Sequence, residues 1–322
     1  MSAALVARGL TKTYGGVAAV DGLDLSVEPG TLYGFLGPNG AGKTTTIRIM
    51  LGLIHASAGE VEVLGEPVTP GKGVAALRRV GALVEEPAFW RYLSGRKNLE
   101  YFARAAGPAD DRRARLGRLD EALDVVGLGE AADKKIKAYS QGMRQRLGIA
   151  RALLGAPEVL LLDEPTNGLD PQGIAEMRAL LRRLADGGTT VFVSSHLLAE
   201  VEVACDVVGV LARGRLVAEG PPSNLRPAGD RLRVTVDDPV RARKILADVE
   251  GVIVAADPEP GDGAGDLPAA APLHLTLTRP ARAAAVNATL VAAGLAVSEL
   301  TPEHERLEDV FLDLVGDDHV PR

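Results

Sequence analysis

Short apolar runs of strand character at 32–36, 159–162 and 190–194 alternate with segments whose apolar residues recur at helical spacing. Ile174, Met177, Leu181 and Leu184 define one such segment. Asp170 and Pro171 mark its start, a capping carboxylate followed by proline at the first helical position, and Gly187 and Gly188 end it before the strand at Thr190. This alternation predicts an α/β fold in which helices cover a sheet. Between Gly220 and Gly229, proline and glycine interrupt every period, so the pattern predicts a first domain over 1–220, a linker over 221–230 and an accessory C-terminal domain over 231–322.

Downstream of the linker the pattern reads strand 233–236, helix 239–247, strands 252–255 and 273–278, helix 280–293 and strand 296–300. That order predicts a small α+β, ferredoxin-like βαββαβ domain. The tract from Asp257 to Asp266 is polar and rich in glycine and proline, so it is expected to be a mobile loop. Leu307, Val310, Phe311 and Leu314 share one stripe and predict a terminal amphipathic helix.

Composition narrows the function classes. With 322 residues, 46% apolar and 25% charged, the chain has the make-up of a globular protein large enough for two cores. The 36 basic residues are outnumbered by 43 acidic ones, so there is no global positive field and nucleic acid is not expected as a partner. The longest stretch without charge, 283–298, contains Asn287, Thr289 and Gly294 and is too short and too polar to cross a membrane. Arg8 and Lys12 precede any signal-like apolar run, so the chain is expected to remain in the cytoplasm, and a lone Cys205 fits a reducing compartment.

The chemistry is concentrated in two places. Gly37-Pro38-Asn39-Gly40-Ala41-Gly42-Lys43-Thr44 follows an apolar strand and precedes a helix, as the G-x-x-x-x-G-K-[ST] pattern requires. Its glycines let backbone amides curl around phosphate oxygens, the helix N-terminus adds a positive dipole end, Lys43 reaches the terminal phosphates and Thr44 offers a hydroxyl to Mg²⁺. The second place is the apolar run at 159–162, which ends in Asp163 and Glu164. With the phosphate loop upstream, Asp163 is expected near that loop as a Mg²⁺-side ligand and Glu164 would then face the attacking water; the alternative for such a pair after an apolar strand is two solvated loop acids.

Five further elements then fall in the order of one family. Tyr139-Ser140-Gln141-Gly142-Met143-Arg144-Gln145-Arg146, Ile149-Ala150-Arg151-Ala152-Leu153, Glu164-Pro165-Thr166-Asn167-Gly168-Leu169-Asp170, Val193-Ser194-Ser195-His196 and Leu10-Thr11-Lys12-Thr13-Tyr14-Gly15 resemble motifs of the ATP-binding subunit of ABC transporters. The resemblance implies a P-loop cassette that hydrolyses ATP. Glu164, His196 and Lys43 would be catalytic, with Glu164 as base and His196 holding the γ-phosphate. ATP would be bound by Tyr14, stacking on adenine, by Gly37 through Thr45, and by Ser140, Gly142 and Asp170. Thr44, Asp163 and Glu85 would stand on the metal side. It further implies that two cassettes pair on ATP and that a separate integral membrane permease is the partner.

Three departures sharpen this. The family usually has glutamine where Val84-Glu85-Glu86-Pro87 places Glu85, a variant resembling bacitracin and lantibiotic exporters. Gln141 and Met143 stand where glycine and glutamine are commoner. Phe89, Trp90 and Tyr92 cluster after the Glu85 loop in a chain with only 3% aromatics and are expected to help form a groove for the permease, or else a local core under that loop. The reading is the ATPase of an antibiotic, peptide or lipid exporter at the inner face of the cell membrane. An importer subunit and an ABC ATPase without a transport role are its alternatives.

Overall fold

The computed structural model describes residues 2–69, 75–85, 88–105, 112–225, 230–255, 272–278 and 282–303. The chain divides into one compact unit that runs to Leu225 and a second that starts at Arg226.

The first unit begins with the long strands β1 (Leu5–Tyr14) and β2 (Val17–Val27), then β3 (Leu32–Leu36), α1 (Lys43–Met50), β4 (Ala58–Val63), β5 (Glu66–Pro67) and β6 (Val80–Leu83). Helices α2 (Gly95–Ala105), α3 (Arg112–Gly117), α4 (Leu119–Val125) and α5 (Gln141–Leu153) follow. The chain then returns through β7 (Val159–Asp163), α6 (Pro171–Asp186), β8 (Thr190–Ser195), α7 (Leu198–Ala204), β9 (Val207–Ala212) and β10 (Arg215–Gly220). The central sheet has the order β10-β9-β3-β8-β7-β6 and is parallel except at β10, while β2-β1-β4-β5 form a separate antiparallel sheet.

Burial follows from that layering. Every residue of β3, β7 and β8 is buried, as expected of parallel strands covered on both faces. β1 mixes buried and exposed positions, since its sheet has only one covered face. Leu5, Leu10, Leu23 and Val61 of the antiparallel sheet share one core with Ile47 and Met50 of α1 and with Tyr33, Phe35 and Phe192 of the central sheet. Tyr33 stacks on Phe192 with ring centroids 5.3 Å apart.

The second unit contains β11 (Asp230–Val236), α8 (Pro239–Ala247), β12 (Val252–Val254), β13 (Leu273–Leu277), α9 (Ala283–Ala292) and β14 (Val297–Glu303). Its strand order is β12-β13-β11-β14 with every pair antiparallel, a βαββαβ arrangement. Leu232, Val234, Leu273, Leu275, Leu246, Val286 and Leu290 form its own core. The expected terminal helix and the 257–266 tract lie outside the described residues.

The helical stripe expected at 174–184 differs in detail, since Ile174 and Leu184 are only half-buried while Met177 and Leu181 are buried. α5 buries Gln145, Leu147, Gly148, Ile149 and Ala150, whereas Met143 is only half-buried because it lies in the helix's first turn. α6 carries the expected Asp170 cap, accepting from the Gly173 amide at 2.9 Å, and buries Met177, Leu180, Leu181 and Ala185. No helix among the described residues is long and apolar enough to cross a membrane.

Candidate functional site

Strands β3, β8 and β7 finish at one level, because Leu36 pairs with Ser195 and Asp163 with Ser194. The carboxyl ends of parallel strands are where α/β sheets bind ligands. The loop leaving β3 is pinned on three sides. Gly37 donates to the Ser195 carbonyl at 3.2 Å, Ala41 accepts from the Gly214 amide at 3.0 Å, and Gly42, at φ 109°, packs so closely that a Cβ there would lie 2.2 Å from the Ala19 carbonyl oxygen. A side chain at 42 therefore fails on both backbone conformation and space.

Lys43, 5% exposed, donates to the Gly37 carbonyl at 2.6 Å and the Pro38 carbonyl at 3.1 Å, and pairs with Glu164 Oε1 at 3.1 Å. The other oxygen of Glu164 lies 2.5 Å from His196 Nδ1. Because a carboxylate only accepts, Nδ1 carries the proton in this contact. Thr44 donates to Asp163 Oδ2 at 2.7 Å, and Asp163 Oδ1 accepts from Ser194 at 2.6 Å. Ser194 Oγ in turn accepts from the Glu164 amide at 3.0 Å, holding Glu164 in a left-handed conformation at φ 47°. Sequence reasoning gave Ser194 no role of its own. Its signal was its place at the end of a fully buried strand, where a hydroxyl needs a partner.

The remaining expected residues lie at helix starts or on the surface. Ser140 caps α5, accepting from the Met143 amide at 3.2 Å, and Gly142 occupies the first turn. Gln141 donates to the Asn167 carbonyl at 3.0 Å and packs over Gly168, tying the two segments together. Tyr14, 50% exposed at the end of β1, has Lys12 Nζ 4.9 Å from its ring centroid. Asn39 and Gly40 are exposed, Pro38 and Thr45 half-buried. Glu85, at φ 66°, pairs with Arg48 of α1. Glu86 and Pro87 lie outside the described residues.

Phe89 and Trp90 join Tyr101 and Phe102 of α2, with Trp90 4.4 Å from Tyr101 and 5.4 Å from Phe102 by ring centroids. Asn98 holds Trp90 in place by accepting from its amide at 2.9 Å and donating to its carbonyl at 3.2 Å. The Arg151 guanidinium lies 4.0 Å from the Phe102 centroid, and burial lowers its pKa. Tyr92 stands apart from these rings, 68% exposed.

Residues 20–167, which include the phosphate loop and the strand ending in Asp163, match the family model described as ABC transporter. The chain is 39% identical over 321 residues to the bacitracin transport ATP-binding protein BcrA of Bacillus licheniformis, covering 98% of both proteins. This chain belongs to the ABC transporter ATP-binding family. The ABC ATPase is also 39% identical to the daunorubicin resistance ATP-binding protein DrrA3 of Streptomyces coeruleorubidus, over 98% of this chain and 96% of that one. Among solved structures, cbiO1 of Clostridium perfringens, part of the ABC transporter complex cbiONQ, matches 70% of this chain and 91% of its own at TM-score 0.62 and 28% identity. The dimeric cassette MJ0796 in a post-hydrolysis state with ADP and Pi matches 68% of this chain and 98% of its own at TM-score 0.58 and 26% identity. As a member of the family, the ABC ATPase binds and hydrolyses ATP.

Proposed function

We propose that this chain is the ATP-hydrolysing subunit of an exporter and energises a separate membrane permease for efflux of an antibiotic, peptide or lipid-like substrate. The carrying observation is the end-to-end likeness to the bacitracin transport and daunorubicin resistance proteins, over 98% of this chain in each case, which takes in the second unit as well as the cassette. In this reading the protein works in the cytoplasm, held at the inner face of the cell membrane by the permease, and the Phe89–Trp90 aromatic group with exposed Tyr92 lies on the docking side. The second unit is an accessory domain, and truncation after Leu225 is expected to leave a folded, ATP-binding cassette.

The reaction assigned to the site is in-line attack of water on the γ-phosphate. Lys43 exchanges the loop carbonyls and Glu164 for phosphate oxygens, while the amides of the Gly37–Thr45 segment cradle the phosphates. Glu164 accepts the proton of the water. His196, in contact with Glu164, keeps water and γ-phosphate aligned. Tyr14 offers an exposed ring face to adenine. Ser140 and Gly142 of a second copy or a paired cassette close over the γ-phosphate, with the Asp170 segment beside them.

Two oxygen donors, Thr44 and Asp163, meet at 2.7 Å at the start of α1, a set suited to a hard cation. These residues would hold Mg²⁺, whose chemistry there is to neutralise charge on the phosphates. Glu85 is assigned to the same side and must leave Arg48 to take part.

Glu164→Gln is expected to bind ATP, fail to hydrolyse it and accumulate as a dimer in size-exclusion chromatography. A variant that stays monomeric with ATP counts against the paired-cassette mechanism. Affinity purification from membranes should recover an integral membrane protein, and recovery of none removes the exporter reading.

A further inference from the structure

We propose that Glu200 is a positioning residue that holds the segments bearing Glu164 and His196 in register. The proposal rests on the roles given to those two residues above.

Glu200 lies on α7 and is 8% exposed. Its Oε2 accepts from Thr166 Oγ1 at 2.5 Å and from Ser195 Oγ at 3.1 Å. Thr166 stands two residues after Glu164, and Ser195 stands immediately before His196. One carboxylate oxygen therefore joins the two segments whose side chains meet at the Glu164–His196 contact. The same Ser195 accepts the Gly37 amide through its carbonyl and the Leu197 amide through its hydroxyl, so the junction also reaches the phosphate loop.

The chemistry argues for a purpose beyond packing. Burying a carboxylate is costly unless it is paired with a cation or richly hydrogen-bonded. Among the described residues Glu200 has no ion-pair partner, and its Oε1 is buried without a hydrogen-bond partner. A leucine at this position would fill the space without that penalty but could not hold two hydroxyls. Ser194 and Ser195 divide the work: adjacent strand residues face opposite sides, so Ser194 bonds Asp163 and the Glu164 amide while Ser195 bonds Glu200. Glu164 is thus held from both sides, by Ser194 at its own amide and by Glu200 through Thr166.

The test is a mutant cycle on the full-length protein, read as steady-state ATP hydrolysis. Glu200→Ala should lower kcat by on the order of tenfold to a hundredfold, the effect of a small misplacement, while KM for ATP changes by less than about twofold. Glu200→Gln keeps an acceptor oxygen for both hydroxyls and should restore most of the rate. Thr166→Val and Ser195→Ala should each lower kcat, and their losses should fail to multiply when combined with each other or with Glu200→Ala. Wild-type kcat in Glu200→Ala, a KM effect in place of a kcat effect, or losses that multiply would overturn the proposal. Should Glu200→Ala not fold, the Thr166→Val and Ser195→Ala pair decides it by the same rule. Glu164→Gln is run alongside: if it hydrolyses ATP normally, the underlying assignment fails, whereas a dead Glu164→Gln with an unaffected Glu200 series overturns only the role of Glu200.

Discussion

Lys43 and Asp163 lie buried at the carboxyl ends of parallel strands and bond to side chains from other elements. Ser140 and Asp170 instead stand exposed at helix starts, and among the described residues they accept from backbone amides of their own first turns. The first group owes its geometry to sheet register, so moving any one member disturbs the rest. The second owes its geometry to local capping, so its members can be exchanged one at a time without touching the core. Caps also leave a helix N-terminus facing outward, which is what a surface needs to meet an anion held elsewhere.

That contrast can be broken by experiment. Lys43→Ala should have the largest effect, a loss of hydrolysis of roughly a thousandfold or more in phosphate-release assays, because it removes the cation from both phosphates and Glu164. A variant retaining most of its rate would show that the interior group is not the site. Ser194→Ala should come next. It leaves a buried Asp163 oxygen and the Glu164 amide without their partner, lowering kcat by about tenfold and unfolding stability by ~1–3 kcal/mol in denaturant titration. Ser140→Ala should cost only about 1 kcal/mol of stability as a lost cap, with a turnover defect that grows as protein concentration brings cassettes together. An equal defect at every concentration would erase the distinction between the two groups.

The smallest expected effect concerns Cys205. Burial first, and then the Asp206 carboxylate, push its thiol up to about 12, with Arg182 opposing. The native protein should therefore resist alkylation near neutral pH and react only as it unfolds. Prompt labelling of the folded chain would mean that the β8–α7–β9 region opens readily.

The strands around the phosphate loop were legible because burial on both faces leaves an uninterrupted apolar run, as in Leu32–Leu36. β1 was not, since Arg8, Gly9, Lys12 and Thr13 break its alternation. The motif residues were legible as types, and Asp163 was expected beside the phosphate loop, but the side chains outside the motifs' expected roles that hold them were not. Nothing in sequence brings Ser194 to Asp163, Glu200 to Thr166 or Arg48 to Glu85, pairs separated by 31, 34 and 37 residues. The aromatic group was half seen for the same reason. Phe89 and Trp90 stood out as neighbours, while Tyr101 and Phe102 reach them only through the fold of α2.

Gln141 and Gly168 carry a consequence for how this sequence can change. A Cβ at 168 would fall 2.3 Å from Gln141 Nε2, so any side chain there displaces the glutamine and breaks its bond to the Asn167 carbonyl. Shortening Gln141 breaks the same bond from the other end. The two positions are therefore expected to be coupled: a side chain at 168, or a shorter residue at 141, gives up the same tie between α5 and the loop leading into α6.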